Sequence, residues 1–273
     1  MSLTSKIDFA LVFSVKKANP NGDPLNGNRP RTDYEGFGEV SDVCLKRKLR
    51  NRLQDMGEEI FVQSDENRRD EYRSLKARFD GNEEIKKVKD RQAQAATACR
   101  TWYDVRTFGQ VFAFGKSDDE NAVSIGIRGP VTIQTAVSVE PVDVSSMQIT
   151  KSVNLETNKP DPDKKAPDTM GMKHRIDNGI YVTFGSINCQ LAEKTGFSDD
   201  DAEKLHEALK TIFENDVSAA RPSGSMVVTK VIWWKHNCKS GQYSSAQVHR
   251  SLNKESLEIE PLEGLEIEVW SEV

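Results

Sequence analysis

Five cations fall within the seven residues from Lys46 to Arg52: Lys46, Arg47, Lys48, Arg50 and Arg52, in the stretch LKRKLRNR. On a helix, residues three and four apart are neighbours, so Lys46, Arg47 and Arg50 share one surface. A row of this kind can follow a phosphate backbone, each contact adding salt-dependent affinity through released counterions. The plain alternative is the solvated face of an amphipathic helix. A second candidate is RTWYDVRTFGQVFAFG, where Arg100 and Arg106 interleave with Trp102, Tyr103, Phe108, Phe112 and Phe114. Aromatic faces stack bases while arginines hold phosphates. Rings at this density also build cores, which leaves the arginines as the better ligand candidates.

A third candidate is the polar excursion 145–174. Its outgoing arm, SMQITKSVN, holds Met147 and Lys151; its returning arm, DTMGMKHRIDNG, holds Met172, Lys173, His174 and Arg175. A methionine flanked by cations can wedge between bases while the cations hold the backbone. Between the arms, LETNKPDPDKKAPD has a single leucine, too little apolar content for a core, and reads as a mobile protruding tip. The segment NPNGDP, residues 19–24, follows the first strand-like run. Pro20 and Pro24 remove two backbone donors, Gly22 permits close approach, and Asn19 and Asn21 can bond a phosphate or sugar without adding charge.

Catalytic chemistry is poorly represented. The four histidines (His174, His206, His236, His249) have no sequence partner that reads as a triad, and no GxSxG, HExxH or phosphate-binding loop occurs. Asp23 and Asp33 could hold a metal or assist RNA cleavage, but aspartates beside proline and glycine are usually turn formers. Cys44, Cys99, Cys189 and Cys238 are scattered without metal-ligand spacing, so buried free thiols are expected, with no metal and no cofactor.

These residues must be positioned by a modest core: 36% of the chain is hydrophobic and 30% charged, as in a soluble globular protein. No membrane span or signal peptide is legible, which makes the cytoplasm the expected compartment. The net charge of −5 conceals an asymmetry. Residues 196–216 carry seven acids against two bases and residues 251–273 seven against one, so these blocks sum to −11 and the other residues to +6. A basic body keeps nucleic acid open as a partner. Ile7, Phe9, Leu11, Phe13 and Val15 alternate with Asp8, Ala10, Val12 and Ser14, predicting a strand. Ser41 and Asp42 start a helix with Val43, Leu45, Leu49, Leu53 and Met56 near one stripe, and Gly57 stops it. Residues 62–98 read as a polar insertion. A short helix and turn around WYDVRTFGQVFAFG, strands on both sides of Gly129-Pro130, a strand at GIYVTFGSINCQL, an acidic helix from about Asp199 to Asn215 and a strand at SMVVTKVIWW follow. Without insertions the order is strand, helix, strand, strand, helix, strand. That is the α+β, ferredoxin-like (RRM-like) pattern of RNA-recognition modules.

NPNGDP, CLKRKLR, WYDVRTFGQVF, IRGPVTIQTAVSVEPVDV and NGIYVTFGSIN, taken in this order, resemble the backbone subunit of the CRISPR type I-C Cascade complex, the Cas-seven or Csd-two family of the RAMP superfamily. The resemblance implies a right-hand architecture: a ferredoxin-like palm (1–59, 99–144 and 176–273), inserted helical fingers (60–98) and a protruding thumb loop (145–175). It implies several copies side by side in a helical filament on one CRISPR RNA, alongside other type I-C Cascade subunits, with target DNA read through the guide and no cofactor. Carried over position by position, Lys46, Arg47 and Arg50 match the RNA-gripping helix row. Arg106 matches a palm contact, and Met147, Lys151, Met172 and His174 belong to the thumb near a kinked nucleotide. Asn19 and Asn21 are assigned to the RNA-facing floor. Related type III subunits cut RNA with a loop aspartate; that activity is not carried onto Asp23 or Asp33. The alternative is an RNA endonuclease using Asp23, Asp33 or His174.

Overall fold

Strand β1 (Ile7–Ala18) is buried on both faces because apolar residues occupy both parities. Ile7, Phe9, Leu11, Phe13 and Val15 enter one core; Ala10 and Val12 enter another. The computed structural model describes residues 2–114, 123–153 and 170–272. In it, β1 pairs antiparallel with β10 (Met170–Ile187) and β11 (Met226–Lys235). β12 (Glu266–Ser271) lies beyond β11. On the other side β7 (Val131–Ile133), β8 (Ala136–Pro141) and β9 (Val144–Thr150) pair with successive parts of β10. β4 (Phe37–Val40) closes the far edge, giving an eight-stranded sheet in the order β12-β11-β1-β10-β8-β4. The chain is thus a mixed α and β protein built on one large antiparallel sheet. Among the described residues no helix is long and apolar enough to cross a membrane.

One sheet face is covered by α1 (Asp42–Asp55), α6 (Cys189–Thr195) and α7 (Asp199–Lys210). The Ser41 hydroxyl accepts the Cys44 N–H at 3.3 Å, capping α1 where the sequence predicts. The inward stripe differs from the expected one. Leu45, Leu49 and Leu53 are buried, but Val43 and Met56 are exposed and Lys48 takes an inner position, 4% exposed. α7 stops at Lys210 rather than near Asn215. The other face is covered by α8 (Ser245–Arg250) and the chain up to Leu265, over Val182, Phe184, Ile232 and Trp234.

A third apolar cluster lies apart from the sheet, formed by α2 (Leu75–Gly81), α3 (Glu83–Lys86), α4 (Arg91–Thr101), α5 (Tyr103–Phe108) and the hairpin of β5 (Gly109–Phe114) with β6 (Val123–Arg128). It joins Phe61, Phe79 and Ile85 to Trp102, Val105, Phe112 and Ile125, so the polar insertion completes its core with residues from beyond position 98. Where the sequence suggested a turn after WYDVRTF, a strand begins. Gly109, at φ 79°, abuts Gly129 so closely that a Cβ on either would meet the other's backbone, and this contact closes the base of the hairpin.

Nor is the excursion from residue 145 structureless at its base. Residues 144–150 ladder with 170–176 as a two-stranded ribbon that prolongs β10. The tip sequence LETNKPDPDKKAPD lies outside the described residues. Within the opening loop, β2 (Gly22–Asp23) and β3 (Arg29–Pro30) form a small ladder around a single 3-10 turn, Pro24–Asn26.

Candidate nucleic-acid interface

The cationic row on α1 is largely engaged inside the protein. Arg47 donates to the Val62 carbonyl at 2.6 Å, and burial, with neighbouring Arg50, lowers its pKa. Arg50 bonds Asp104 at 2.8 Å and lies over the Phe108 ring. Asp104, 1% exposed, also accepts the Phe61 and Val62 N–H groups. Lys48 is buried against Asp216, and burial lowers its pKa despite that partner. Arg52 reaches Thr211 and Glu214. Lys46 pairs one turn back with Asp42 at 3.0 Å and lines an open cleft of about 530 Å³ that also includes Val111, Arg128 and Thr132.

Arg106 behaves like the α1 arginines. Its guanidinium donates to both Asp201 oxygens at 2.9–3.2 Å, lies over the Tyr103 ring and sits 3.6 Å from Glu58, fastening α5 to α7. Trp102, Tyr103 and Phe112 are core residues. Arg100 pairs with Glu84 at the surface.

Where the opening loop meets the ribbon, cations stand on both ribbon faces, Arg29 on that of His174 and Lys173 and Arg175 on the other. Arg29 donates to the Ser146 hydroxyl at 3.0 Å and lies 3.5 Å from His174 Nδ1, itself 2.8 Å from Ser146. Neither neighbour is a carboxylate, so the guanidinium charge is not cancelled by them. Lys173 and Arg175 follow on β10, and the buried Arg175 Nε has no hydrogen-bond partner among the described residues. Lys16, paired in register with Asn178, is exposed. Lys17 and Arg31 are nearby but bonded to Asp177 and Asp23. Arg29 and Lys16 were passed over in the sequence; the signals were NRPR and KK, flanking NPNGDP on either side.

The loop's asparagines hold it in place. Asn21 Oδ1 accepts both the N–H and the hydroxyl of Ser41 at 2.9 Å, seating the loop on the start of α1. Asn19, 4% exposed, donates to the Asn28 carbonyl at 2.7 Å while its Oδ1 is unpartnered among the described residues. The close approach at Gly22 is internal: a Cβ there would strike the Asn28 side chain.

Ribbon register separates the two methionines. Met147 stands opposite Lys173 and Met172 opposite Gln148, so the methionines point to opposite faces. Met147 and Ile149 share a face with Lys173 and Arg175; Met170 and Met172 share the other with His174. All four apolar side chains are 37–66% exposed. Lys151 is exposed at the far end of the outgoing arm.

Asp23 caps the 3-10 turn through the Leu25 N–H, and Asp33 accepts the Glu35 and Phe37 N–H groups at 2.9 and 2.8 Å; both are turn formers. The histidines do find acidic partners, across the fold. Asp8, wholly buried, receives His236 Nε2 at 2.9 Å and has His249 Nε2 at 3.4 Å and Lys6 at 3.0 Å. Burial pushes this carboxyl up, but hydrogen bonds from His236, His249, Ser245 and Lys6 outweigh it and hold it well below the usual carboxylate range. His206 is buried and stacked on Trp233. Among the described residues no three His, Cys, Asp or Glu side chains group as a metal site.

A curated relative, the CRISPR-associated protein Cas7 of Haloferax volcanii, is 26% identical over 236 residues, covering 82% of this chain and 68% of the relative. Two solved chains titled as CRISPR RNA-guided surveillance complexes, one of them pre-nicking, align at TM-scores of 0.48 and 0.47 with 16% and 12% identity. Each alignment covers 84% of this chain, and 69% and 78% of the solved chains respectively. The family model for CRISPR-associated protein Cas7 matches residues 5–269, nearly the entire chain, and the protein belongs to that family.

Proposed function

We propose that this Cas7-family chain is a non-enzymatic backbone subunit of a type I-C Cascade complex in the cytoplasm, binding CRISPR RNA through its phosphates and acting without a cofactor. Copies of the chain line up along one guide beside other Cascade subunits, and the guide, not the protein, reads target DNA. The sheet core supports a ferredoxin-like palm: β11, β1, β10 and the β7–β8 segment are the last, first, third and second strands of the split βαβ pattern. The ribbon β9–β10 is the thumb.

The observation that carries this reading is that Lys16, Arg29, Lys173 and Arg175, at the ribbon base, form no ion pair among the described residues, although Asp177 feels the charge of Arg175. A polyanion supplies the missing charge, with Lys46 and Lys151 extending the track at either end. Met147 and Met172 offer wedges on the two ribbon faces. Asp23 and Asp33, engaged in turns, favour binding over cleavage.

The test is a salt titration of guide-RNA binding by the triple variant R29A/K173A/R175A. On a single strand the slope of log K against log salt changes by about 0.7 per phosphate contact, so loss of three contacts flattens it by about 2. An unaltered slope rejects the site. Labelled RNA incubated with magnesium stays intact in this reading; cleavage abolished by Asp23→Ala or Asp33→Ala overturns it in favour of an endonuclease.

A further inference from the structure

A second basic recess lies against α8, lined by residues that the proposed guide site does not use. A cleft of about 360 Å³ opens between β7, β10 and α8, lined by Gln134, Phe184, His249, Arg250, Leu252 and Lys254 among others. Among the described residues no carboxylate lines it. His249 is stacked on Phe184 at 4.8 Å between ring centres, and Lys254 lies over the same ring at 5.6 Å. His249 Nε2 is held by the Gly185 carbonyl at 3.2 Å and, beneath the cleft, by Asp8. Arg250 and Lys254 make no ion pair among the described residues, unlike the cations of α1.

Strand β7 links this cleft to the one beside Lys46. Thr132 lines the first cleft and shares a hydroxyl contact of 3.0 Å with Ser186. Gln134 continues the same register, its N–H donating to the Phe184 carbonyl at 2.8 Å, and lines the second. Thr132 and Gln134 are exposed, on one face and about 7 Å apart. Lys46 and Arg128 lie at one end of the path and Arg250 and Lys254 at the other, with a hydroxyl pair and an amide between them. From this arrangement we infer that the Arg250–Lys254 cleft binds single-stranded nucleic acid, as a site separate from the ribbon base. A flexible polyanion with regularly spaced charges fits a path that turns around a strand edge, and neutral donors between cations suit sugar and base edges. An acidic peptide offers the charge but has no use for those intervening donors.

The experiment uses the full chain loaded with guide RNA and a fluorescein-labelled oligothymidine that cannot pair with the guide. Anisotropy is followed across a salt series for R250A, for R250A/K254A and for the ribbon-base variant R29A/K173A/R175A. R250A/K254A should bind oligothymidine roughly tenfold more weakly, with a slope flatter by about 1.4 for two lost contacts, and R250A should flatten it by about 0.7 for one, while guide binding is unchanged. Arg250 makes no side-chain hydrogen bond or ion pair among the described residues, so R250A decides the matter even where the double variant loosens Lys254 from Phe184. Unchanged oligothymidine binding in R250A overturns the inference. So does loss of that binding only in the ribbon-base variant, a result that leaves the guide site standing. Displacement by polyglutamate peptide at lower concentration than by unlabelled oligothymidine also overturns it, in favour of an acidic protein partner.

Discussion

The arginines most conspicuous in the sequence hold the protein together, and the less conspicuous ones are available to a ligand. Arg50 and Arg106 each meet a buried or nearly buried carboxylate, Asp104 and Asp201. Removing one member of such a pair leaves an uncompensated charge, at a cost of about 3 kcal/mol. Arg106→Ala should therefore lower the unfolding midpoint in a denaturant titration, while the salt slope of RNA binding by the folded fraction stays at the wild-type value. A flattened slope would return Arg106 to the interface. Asp8 makes a sharper case because its carboxyl is depressed in the folded state. Its stabilisation is present above the unfolded carboxylate pKa of about 3.9 and fades as pH falls below that value through the depressed folded one. Asp8→Asn should cost about 3 kcal/mol at neutral pH. Its melting temperature should also fall less steeply than wild type on acidification below that point. Parallel acid limbs would show that Asp8 carries no linked proton.

At the scale of elements, the ribbon register makes a distinction that the sequence could not. Met147 and Met172 project from opposite faces, so they have no common contact surface. Their alanine substitutions should add in RNA binding to within about 0.5 kcal/mol, as independent sites do. A larger coupling in the double-mutant cycle would mean that both methionines flank one nucleotide. The strand β1, the Ser41 cap of α1, the turn roles of Asp23 and Asp33 and the strand on each side of Gly129-Pro130 were legible, because each depends on residues a few positions apart. The engagement of the α1 cations was not. Arg50 meets Asp104 and Lys48 meets Asp216, as Arg106 of α5 meets Asp201, across long separations in sequence that only the tertiary fold closes. A cationic helix has the same local pattern whether its charges face solvent, carboxylates or phosphates. Arg29 was overlooked for the converse reason: its significance comes from Ser146 and His174, more than a hundred residues away.

For the whole molecule, the two acidic blocks of the sequence converge in space. Lys235 on β11 lies 3.6 Å from Glu203 of α7 and 3.7 Å from Glu268 of β12, and buried His206 lies 4.0 and 3.9 Å from the same two carboxylates. Burial and Lys210 lower the His206 pKa, so at neutral pH it does little to neutralise them. The acidic patch thus sits at the β12 end of the sheet, whereas the ribbon cations, which form no ion pair among the described residues, lie beyond β1, on β10. A chain with unlike charges at its two ends can associate head to tail, and such a heterologous contact repeats without closing unless its rotation closes a ring. Under the proposed function, guide RNA threaded past each ribbon would set the length of the array. Neutralising the patch with Glu266→Gln, Glu268→Gln and Glu272→Gln should shorten assemblies on a long guide RNA, measured by mass photometry, most clearly at low salt where screening is weak. Binding of a single copy to a short RNA should be unaffected, because these carboxylates are remote from the ribbon base. Arrays of wild-type length in the triple variant would show that neighbouring copies meet through another surface.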